Sequence, residues 1–139
     1  MRQAKIIKLL PQFLAFTIAN DNMSDIKIVS DKKEIIVNMY DNPTSQSLIL
    51  FLPLRVKFED YAKTEKIANL LKKLSIKEAP TGAFPKKGDF AYYAPWGNLA
   101  IFYKDFSYSN GLIILGHIEE GLEDLDKIGG YVEIQKNER

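Results

Sequence analysis

The stretch most informative about the fold is GDFAYYAPWGNLAIFY, residues 88–103. Its centre, residues 95–98 (PWGN), has the composition of a tight turn, because proline and glycine supply the backbone angles that turns require. The flanking residues 89–94 and 99–104 are rich in aromatic and aliphatic side chains and are predicted to be the strands of a hairpin. Both strands are apolar on both faces, and such strands belong in the middle of a layered or closed sheet.

The residues before this hairpin predict further strands and one short helix. Apolar residues alternate with polar ones over 26–28 and 35–39, on either side of a polar loop at 30–33, which indicates a first hairpin. Asn42 is predicted to cap a helix whose first residue is Pro43, and the helix runs to about residue 51. A strand over 54–59 follows the helix breaker Pro53.

Residues 64–74 have the spacing of an amphipathic helix. Ile67, Leu70, Leu71 and Leu74 fall at positions i, i+3, i+4 and i+7, and the lysines lie off that stripe. This pattern predicts a helix packed on the core.

The residues after the central hairpin complete a mainly β chain. An aromatic loop at 106–110 precedes a doubly apolar strand at 112–118, and a short helix at 122–128 has acidic residues at its start. A last strand contains Val132 and Ile134. About seven strands, two or three short helices and no alternation of strands with helices favour an antiparallel barrel or sandwich.

Composition and charge exclude several classes of function. The 139 residues suit one domain, and a hydrophobic fraction of 46% is too high for a disordered chain. The 19 basic and 18 acidic side chains nearly cancel, so nucleic-acid binding is not expected. The absence of cysteine excludes thiolate metal sites and a thiol nucleophile, and the single histidine excludes paired-imidazole sites. No metal and no cofactor are predicted.

The first 22 residues differ from the rest. They read equally as a weak signal peptide, an extra element, or a start assigned upstream of Met23, and the apolar run at 9–19 is too short to span a membrane. We therefore divide the chain into an extension, 1–22, and a barrel domain, 23–139. We expect a cytoplasmic protein, or a secreted or periplasmic one if the extension acts as a signal.

Catalytic motifs are weak. Neither a glycine-rich phosphate loop nor a nucleophile elbow occurs. His117 lies on a predicted strand, where a histidine with one satisfied hydrogen bond is the better interpretation. The carboxylate pairs 59–60 and 119–120 end a strand and begin a helix, so they are predicted to be solvated rather than catalytic.

Aromatic residues are concentrated between positions 92 and 108. Some must be ordinary core residues, but Trp96 lies in a tight turn and Tyr108 in a polar loop. Aromatic side chains on turns, which combine an apolar body with a polar tip, are typical of binding surfaces.

Residues 88–103 strongly resemble the bacterial cyclophilin-like proteins of uncharacterised function. Shorter matches support the resemblance, which covers Met23 to about Lys136: 41–44, 52–54, 59–61, 64–67, 105–108, 111–112 and 115–119. The resemblance implies a small closed cyclophilin-like β-barrel with two or three short helices. It also implies a short or irregular turn within 64–74, in place of the helix.

The resemblance does not carry over the isomerase chemistry of true cyclophilins. That chemistry depends on a groove arginine beside a glutamine and an aromatic wall. The arginines here are Arg2, Arg55 and Arg139, none of which matches, and residues 85–87 (PKK) replace the glutamine pattern. Weak or no prolyl isomerase activity is therefore expected, because the charged donor would stabilise the twisted amide. A weak peptidyl-prolyl isomerase is therefore an alternative function. The resemblance also suggests a second alternative, an accessory module of a flavodoxin-type redox system, with any flavin on the partner.

The leading prediction is a non-catalytic domain that binds a peptide or small molecule in an aromatic groove. The predicted contacts come from turns and loops around the central hairpin, with Glu65 and Lys66 as polar residues that orient the ligand. The aromatic contacts are Tyr61, Tyr93, Trp96, Phe102 and Tyr108.

Overall fold

Eight antiparallel strands close into a barrel in the computed structural model, which describes residues 23–31 and 33–138. The predicted extension, residues 1–22, lies outside the described residues. The described residues contain ten strands in all, eight of them in the barrel. They are β1 (Asp25–Ser30), β2 (Lys33–Met39), β3 (Leu54–Tyr61), β4 (Glu65–Asn69), β5 (Gly82–Ala83), β6 (Asp89–Tyr93), β7 (Asn98–Phe102), β8 (Ser109–Asn110), β9 (Leu112–Glu120) and β10 (Gly130–Asn137). Around the barrel their order is β1-β10-β3-β4-β7-β6-β9-β2, and β5 pairs separately with β8. The prediction of a mainly β, closed barrel with two or three short helices is confirmed.

Two short helices accompany the strands in the described residues: α1 (Pro43–Ile49) and a 3-10 helix (Leu122–Lys127). The predicted cap is present, because the Asn42 side chain accepts a hydrogen bond from the backbone N–H of Ser45 at 2.8 Å. The Ser45 hydroxyl in turn donates to the carbonyl of Leu115 on β9 at 2.9 Å. Leu48 is fully buried in the core, so α1 is held against the barrel by packing and by the hydrogen bond between Ser45 and Leu115.

The main core fills the barrel. All eight barrel strands contribute to it, because alternate side chains of each strand point inward. Its largest fully buried members include Phe58, Phe90 and Tyr92. The Tyr92 hydroxyl accepts a hydrogen bond from the backbone N–H of Leu74 at 3.2 Å, so its polar atom is satisfied inside the core.

A second, smaller core lies on the outer face of the central hairpin and β9. It consists of Ala91, Ala100, Phe102 and Leu112, all buried. The prediction that the central strands are buried on both faces is therefore confirmed, since β7 is buried along its whole length.

The helix predicted within residues 64–74 is wrong. Residues 65–69 form β4, which pairs with β3 and β7, so the short or irregular turn that the resemblance implied is also incorrect for these residues. Leu71, which the helical stripe would bury, is fully exposed, whereas Leu74 is buried. Backbone pairing with two neighbouring strands outweighs a helical spacing that runs from a strand into the following loop.

No helix in residues 23–31 and 33–138 has the length and apolar character needed to cross a membrane.

Candidate functional site

A pocket of about 160 Å³ lies on the outer face of the barrel, beside the second core. Five of the seven predicted site residues line it: Tyr61, Glu65, Tyr93, Trp96 and Phe102. Sequence reasoning missed four further lining residues: Ile67, Phe106, Ser109 and Leu112. These nine residues are called the aromatic pocket below. Five of them are aromatic, and they come from segments separated by up to 51 positions in the sequence.

Trp96 is presented by the turn between β6 and β7. Gly97 has a φ of +69°, a left-handed conformation that favours glycine, and its N–H donates to the carbonyl of Tyr93 at 2.9 Å. The turn leaves the Trp96 side chain 56% exposed. The predicted position of Trp96 on an exposed turn is therefore confirmed.

The Trp96 ring is flanked by two tyrosine rings. The Tyr61 ring lies 5.4 Å from it between centroids at an interplanar angle of 87°, and the Tyr93 ring lies 5.5 Å away at 77°. Edge-to-face contacts of this kind stabilise aromatic pairs by about 0.5–1.5 kcal/mol each. They join the end of β3 to the central hairpin and hold both tyrosine rings at steep angles to the Trp96 ring.

Strand pairing sets the floor of the pocket. Glu65 on β4 is opposite Phe102 on β7, and Tyr93 on β6 is opposite Leu112 on β9. Phe102 and Leu112 are buried, so the floor is apolar and belongs to the second core.

Glu65 brings a carboxylate into this apolar setting. Its side chain is half-buried, and burial raises the pKa of the carboxyl above its ordinary value. No hydrogen bond or ion pair joins the Glu65 side chain to another residue of 23–31 or 33–138. Within the described part of the chain, Glu65 is the one acidic residue in the lining of the pocket, and no lysine, arginine or histidine lines it.

Lys66 does not line the aromatic pocket. Successive residues of a strand point to opposite faces, so β4 directs Lys66 away from Glu65. Lys66 is buried and forms an ion pair with Asp60 at 3.1 Å between Nζ and Oδ1. The Tyr103 hydroxyl also donates to Asp60 at 3.3 Å, and burial, followed by the charge and hydrogen bond of Asp60, raises the pKa of Tyr103.

Tyr108 also lies outside the lining of the aromatic pocket. Its hydroxyl shares a 2.8 Å hydrogen bond with Thr81 Oγ1, and its ring lies 5.1 Å from that of Phe84. These contacts fasten the loop before β6 to the loop before β9. The following residue, Ser109, faces the pocket instead.

Phe106 could have been found from the sequence, because it lies in the same aromatic loop as Tyr108 and is 49% exposed. Ile67, Ser109 and Leu112 carry no comparable signal. They line the pocket only because β4 and β9 approach the central hairpin from either side.

His117 has a satisfied hydrogen bond, as predicted. Its Nδ1 lies 2.9 Å from Oδ1 of buried Asp89, whose other oxygen accepts from the backbone N–H of Lys86 at 2.8 Å. Neither residue lines the aromatic pocket.

Arg55 lies on β3, exposed, with its guanidinium 4.5 Å from the centre of the Tyr131 ring. It is not part of the aromatic pocket, and Arg2 and Arg139 lie outside the described residues.

A family model described as the cyclophilin-like family matches residues 28–135. The chain belongs to the cyclophilin-like family. The matched region contains all ten strands at least in part, together with the whole aromatic pocket.

Among solved structures, this cyclophilin-like protein is similar to a hypothetical protein from Archaeoglobus fulgidus, known from a solution structure. The TM-score is 0.63 with 17% sequence identity, over 82% of this chain and 95% of the other. At that identity the similarity shows a shared fold. No curated protein matches the chain.

Proposed function

We propose that this cyclophilin-like domain is a non-catalytic module that binds a peptide or small molecule in the aromatic pocket. The observation that carries the proposal is the position of Trp96, which is held by two tyrosines over an apolar floor yet is more than half exposed. Large exposed aromatic side chains next to a concave apolar surface are typical of ligand sites.

The shape of the site supports binding by preorganisation. Tyr61 and Tyr93 restrain the Trp96 ring from two sides, and the turn that carries Trp96 is closed by backbone hydrogen bonds. A ligand that meets restrained side chains loses less conformational entropy on binding than one that must order them. The aromatic pocket therefore provides rigid contact area.

The same arrangement does not favour catalysis. Among the described residues, the aromatic pocket is lined by one carboxylate and by no histidine, lysine or second carboxylate that could act as its acid–base partner. Arg55, the arginine of the described chain, is on another part of β3 beside Tyr131. A protease-coupled assay of a proline peptide is expected to show no rate above background.

A fragment screen by NMR tests the proposal. The chain has one tryptophan, so the indole N–H signal of Trp96 reports on the pocket without interference. We expect apolar and aromatic fragments to shift that signal and those of Phe102 and Phe106. Trp96→Ala removes the indole signal itself, and in this variant the fragments should no longer shift the signals of Phe102 and Phe106. Phe84→Ala, which changes an exposed aromatic residue outside the pocket, should leave all of the shifts intact. Fragments that bind only elsewhere, or none that bind, would contradict the proposal.

A further inference from the structure

We propose that the aromatic pocket selects a methylated ammonium group, such as the head of choline or a trimethylated lysine side chain. This inference rests on the proposed function, because it names the chemical class of ligand for the same pocket. It is carried by three observations: the arrangement of the rings, the unpaired carboxylate of Glu65 and the size of the cavity.

The rings form adjacent walls. Tyr61 and Tyr93 stand at 87° and 77° to Trp96, so their planes meet at steep angles around a common space. The centroid separations of 5.4 Å and 5.5 Å place the rings close enough together for one cation to lie near several of them. A cation within about 6 Å of an aromatic centroid is attracted by the negative face of the ring.

Exposure leaves these rings available. Tyr61, Trp96 and Phe106 are 43%, 56% and 49% exposed, and they are among the largest exposed apolar side chains of the described residues. A ligand that covers them gains from the removal of apolar surface as well as from the attraction of the rings for positive charge.

Glu65 makes the aromatic pocket acidic. Its carboxylate is half-buried on β4, and it makes no hydrogen bond or ion pair with another described residue. Lys66, the nearest basic residue in sequence, is on the opposite face and is already paired with Asp60. A cation entering the pocket would supply the missing counter-charge in surroundings that screen charge less than water does.

The lining favours a methylated cation over a bare ammonium. A bare ammonium has three N–H donors and needs several acceptors to replace its water. Apart from Glu65, Ser109, the tyrosine hydroxyls and the indole N–H of Trp96, which is a donor, the side chains of the aromatic pocket are apolar. Methyl groups make no such demand, and they pack against aromatic rings, so their desolvation costs less.

The cavity holds one group rather than a whole drug-sized ligand. Its volume is about 160 Å³, whereas pockets for drug-sized molecules have about 300–1,000 Å³. A cavity of about 150 Å³ is known to hold benzene, and a trimethylammonium group is of similar size. The remainder of the ligand would lie outside, over Phe106 and the neighbouring surface.

Trp96 fluorescence in titrations of the full chain tests the inference. The probes are choline and its uncharged carbon isostere, dimethylbutanol, at matched ionic strength. We expect choline to bind at least about fivefold more tightly, since a cation–π contact adds about 1 kcal/mol or more. Tripeptides with trimethyllysine or unmodified lysine at the centre distinguish the sources. Tighter binding of the methylated peptide than of choline would identify a peptide ligand, and equal binding a small molecule.

Two variants test the role of each group. Glu65→Gln keeps the shape and removes the charge, so it should weaken choline binding about fivefold or more and leave the isostere unaffected. Tyr61→Leu keeps an apolar side chain but removes a ring. It should weaken the binding of choline more than the binding of the isostere. Glu120→Gln is the matched control, because Glu120 is exposed at the far end of β9 from Leu112.

The outcomes separate the two proposals. If the isostere binds as tightly as choline, or if Glu65→Gln binds choline as tightly as the native chain, the pocket binds ligands but the preference for cations is wrong. If neither probe binds while the fragment screen finds pocket ligands, the cation inference alone fails. If neither the probes nor the fragments shift Trp96, the proposed function fails as well.

Discussion

The barrel has two walls whose outer faces differ in character. On one side, β1 and β10 form a polar wall, with Lys27, Glu133 and Gln135 pointing to solvent. On the other, β6 and β7 form an aromatic wall, whose outer face carries Ala100, Phe102 and the second core. Both walls present apolar side chains to the barrel interior.

The difference between the two walls distinguishes the apolar side chains that the barrel needs from those that it does not. Burial of one face is sufficient to hold an antiparallel strand in a barrel, as the polar wall demonstrates. The second apolar face of the aromatic wall is therefore more than the barrel alone requires. Part of it is covered by its own second core, and the part around Trp96 stays open as the aromatic pocket.

The largest expected effect on stability is a difference between substitutions at two adjacent tyrosines of β6. Tyr92 is buried inside the barrel, and Tyr92→Ala should lower the free energy of unfolding by about 3–5 kcal/mol, because it leaves a cavity. Tyr93 is only partly buried in the aromatic pocket, so Tyr93→Ala should cost about 1–2 kcal/mol. Urea unfolding measures both. Equal losses would contradict the assignment of Tyr93 to an open pocket.

The next effect compares a charge placed on each wall. Ala100 is fully buried on the outer face of β7, so Ala100→Glu should lower the free energy of unfolding by about 3 kcal/mol or more. Lys27→Glu on the polar wall should change it by about 0.5 kcal/mol or less. Thermal and urea denaturation provide the measurement. A tolerated glutamate at position 100 would show that the second core is not needed for stability.

A smaller effect concerns exposed aromatic residues on the two sides. Trp96→Ala removes two edge-to-face ring contacts and should cost about 1–2 kcal/mol in the free energy of unfolding, with loss of fragment binding. Tyr131→Ala removes a ring that contacts Arg55 on the polar wall and should cost about 0.5–1 kcal/mol, with fragment binding unchanged. A severe loss of stability in Trp96→Ala would make Trp96 a core residue instead of a binding residue.

The smallest expected effect is the pH dependence of the contribution that Glu65 makes to stability. Its pKa is raised in the folded chain, so the folded state holds a proton at pH values where the unfolded chain has lost it. Glu65 therefore lowers stability as the pH rises from its ordinary pKa through the raised one, and the full cost remains at neutral pH. Glu65→Gln should raise the free energy of unfolding by less than about 0.5 kcal/mol at neutral pH, since solvent screens a half-exposed group.

The difference between Glu65→Gln and the native chain should vanish below the ordinary glutamate pKa of 4.5. Asp60, the neighbouring charge on β3, is present in both proteins, so its contribution cancels in the comparison. A variant that is less stable than the native chain at neutral pH would contradict the raised pKa.

Local patterns in the sequence were sufficient for several elements. Asn42 and Pro43 predicted the start of α1 correctly, because a cap is made by residues three positions apart. The hairpin around residues 95–98 was also correct, because its turn is made by adjacent residues. The helical spacing of Ile67 and Leu71 misled, because the pairing partners of β4 lie about 8 and 33 residues away in the sequence.

Sequence patterns predicted an antiparallel barrel or sandwich with an apolar second face on its central hairpin and with Trp96 on a turn, and the resemblance to cyclophilin-like proteins predicted that the barrel is closed. The folded arrangement determines which residues share the site. The pleat of β4 separates Glu65 from Lys66, and Tyr108 forms a hydrogen bond with Thr81 outside the aromatic pocket. Alternation and turn chemistry act between near neighbours, whereas the aromatic pocket forms from strands that meet only when the barrel closes.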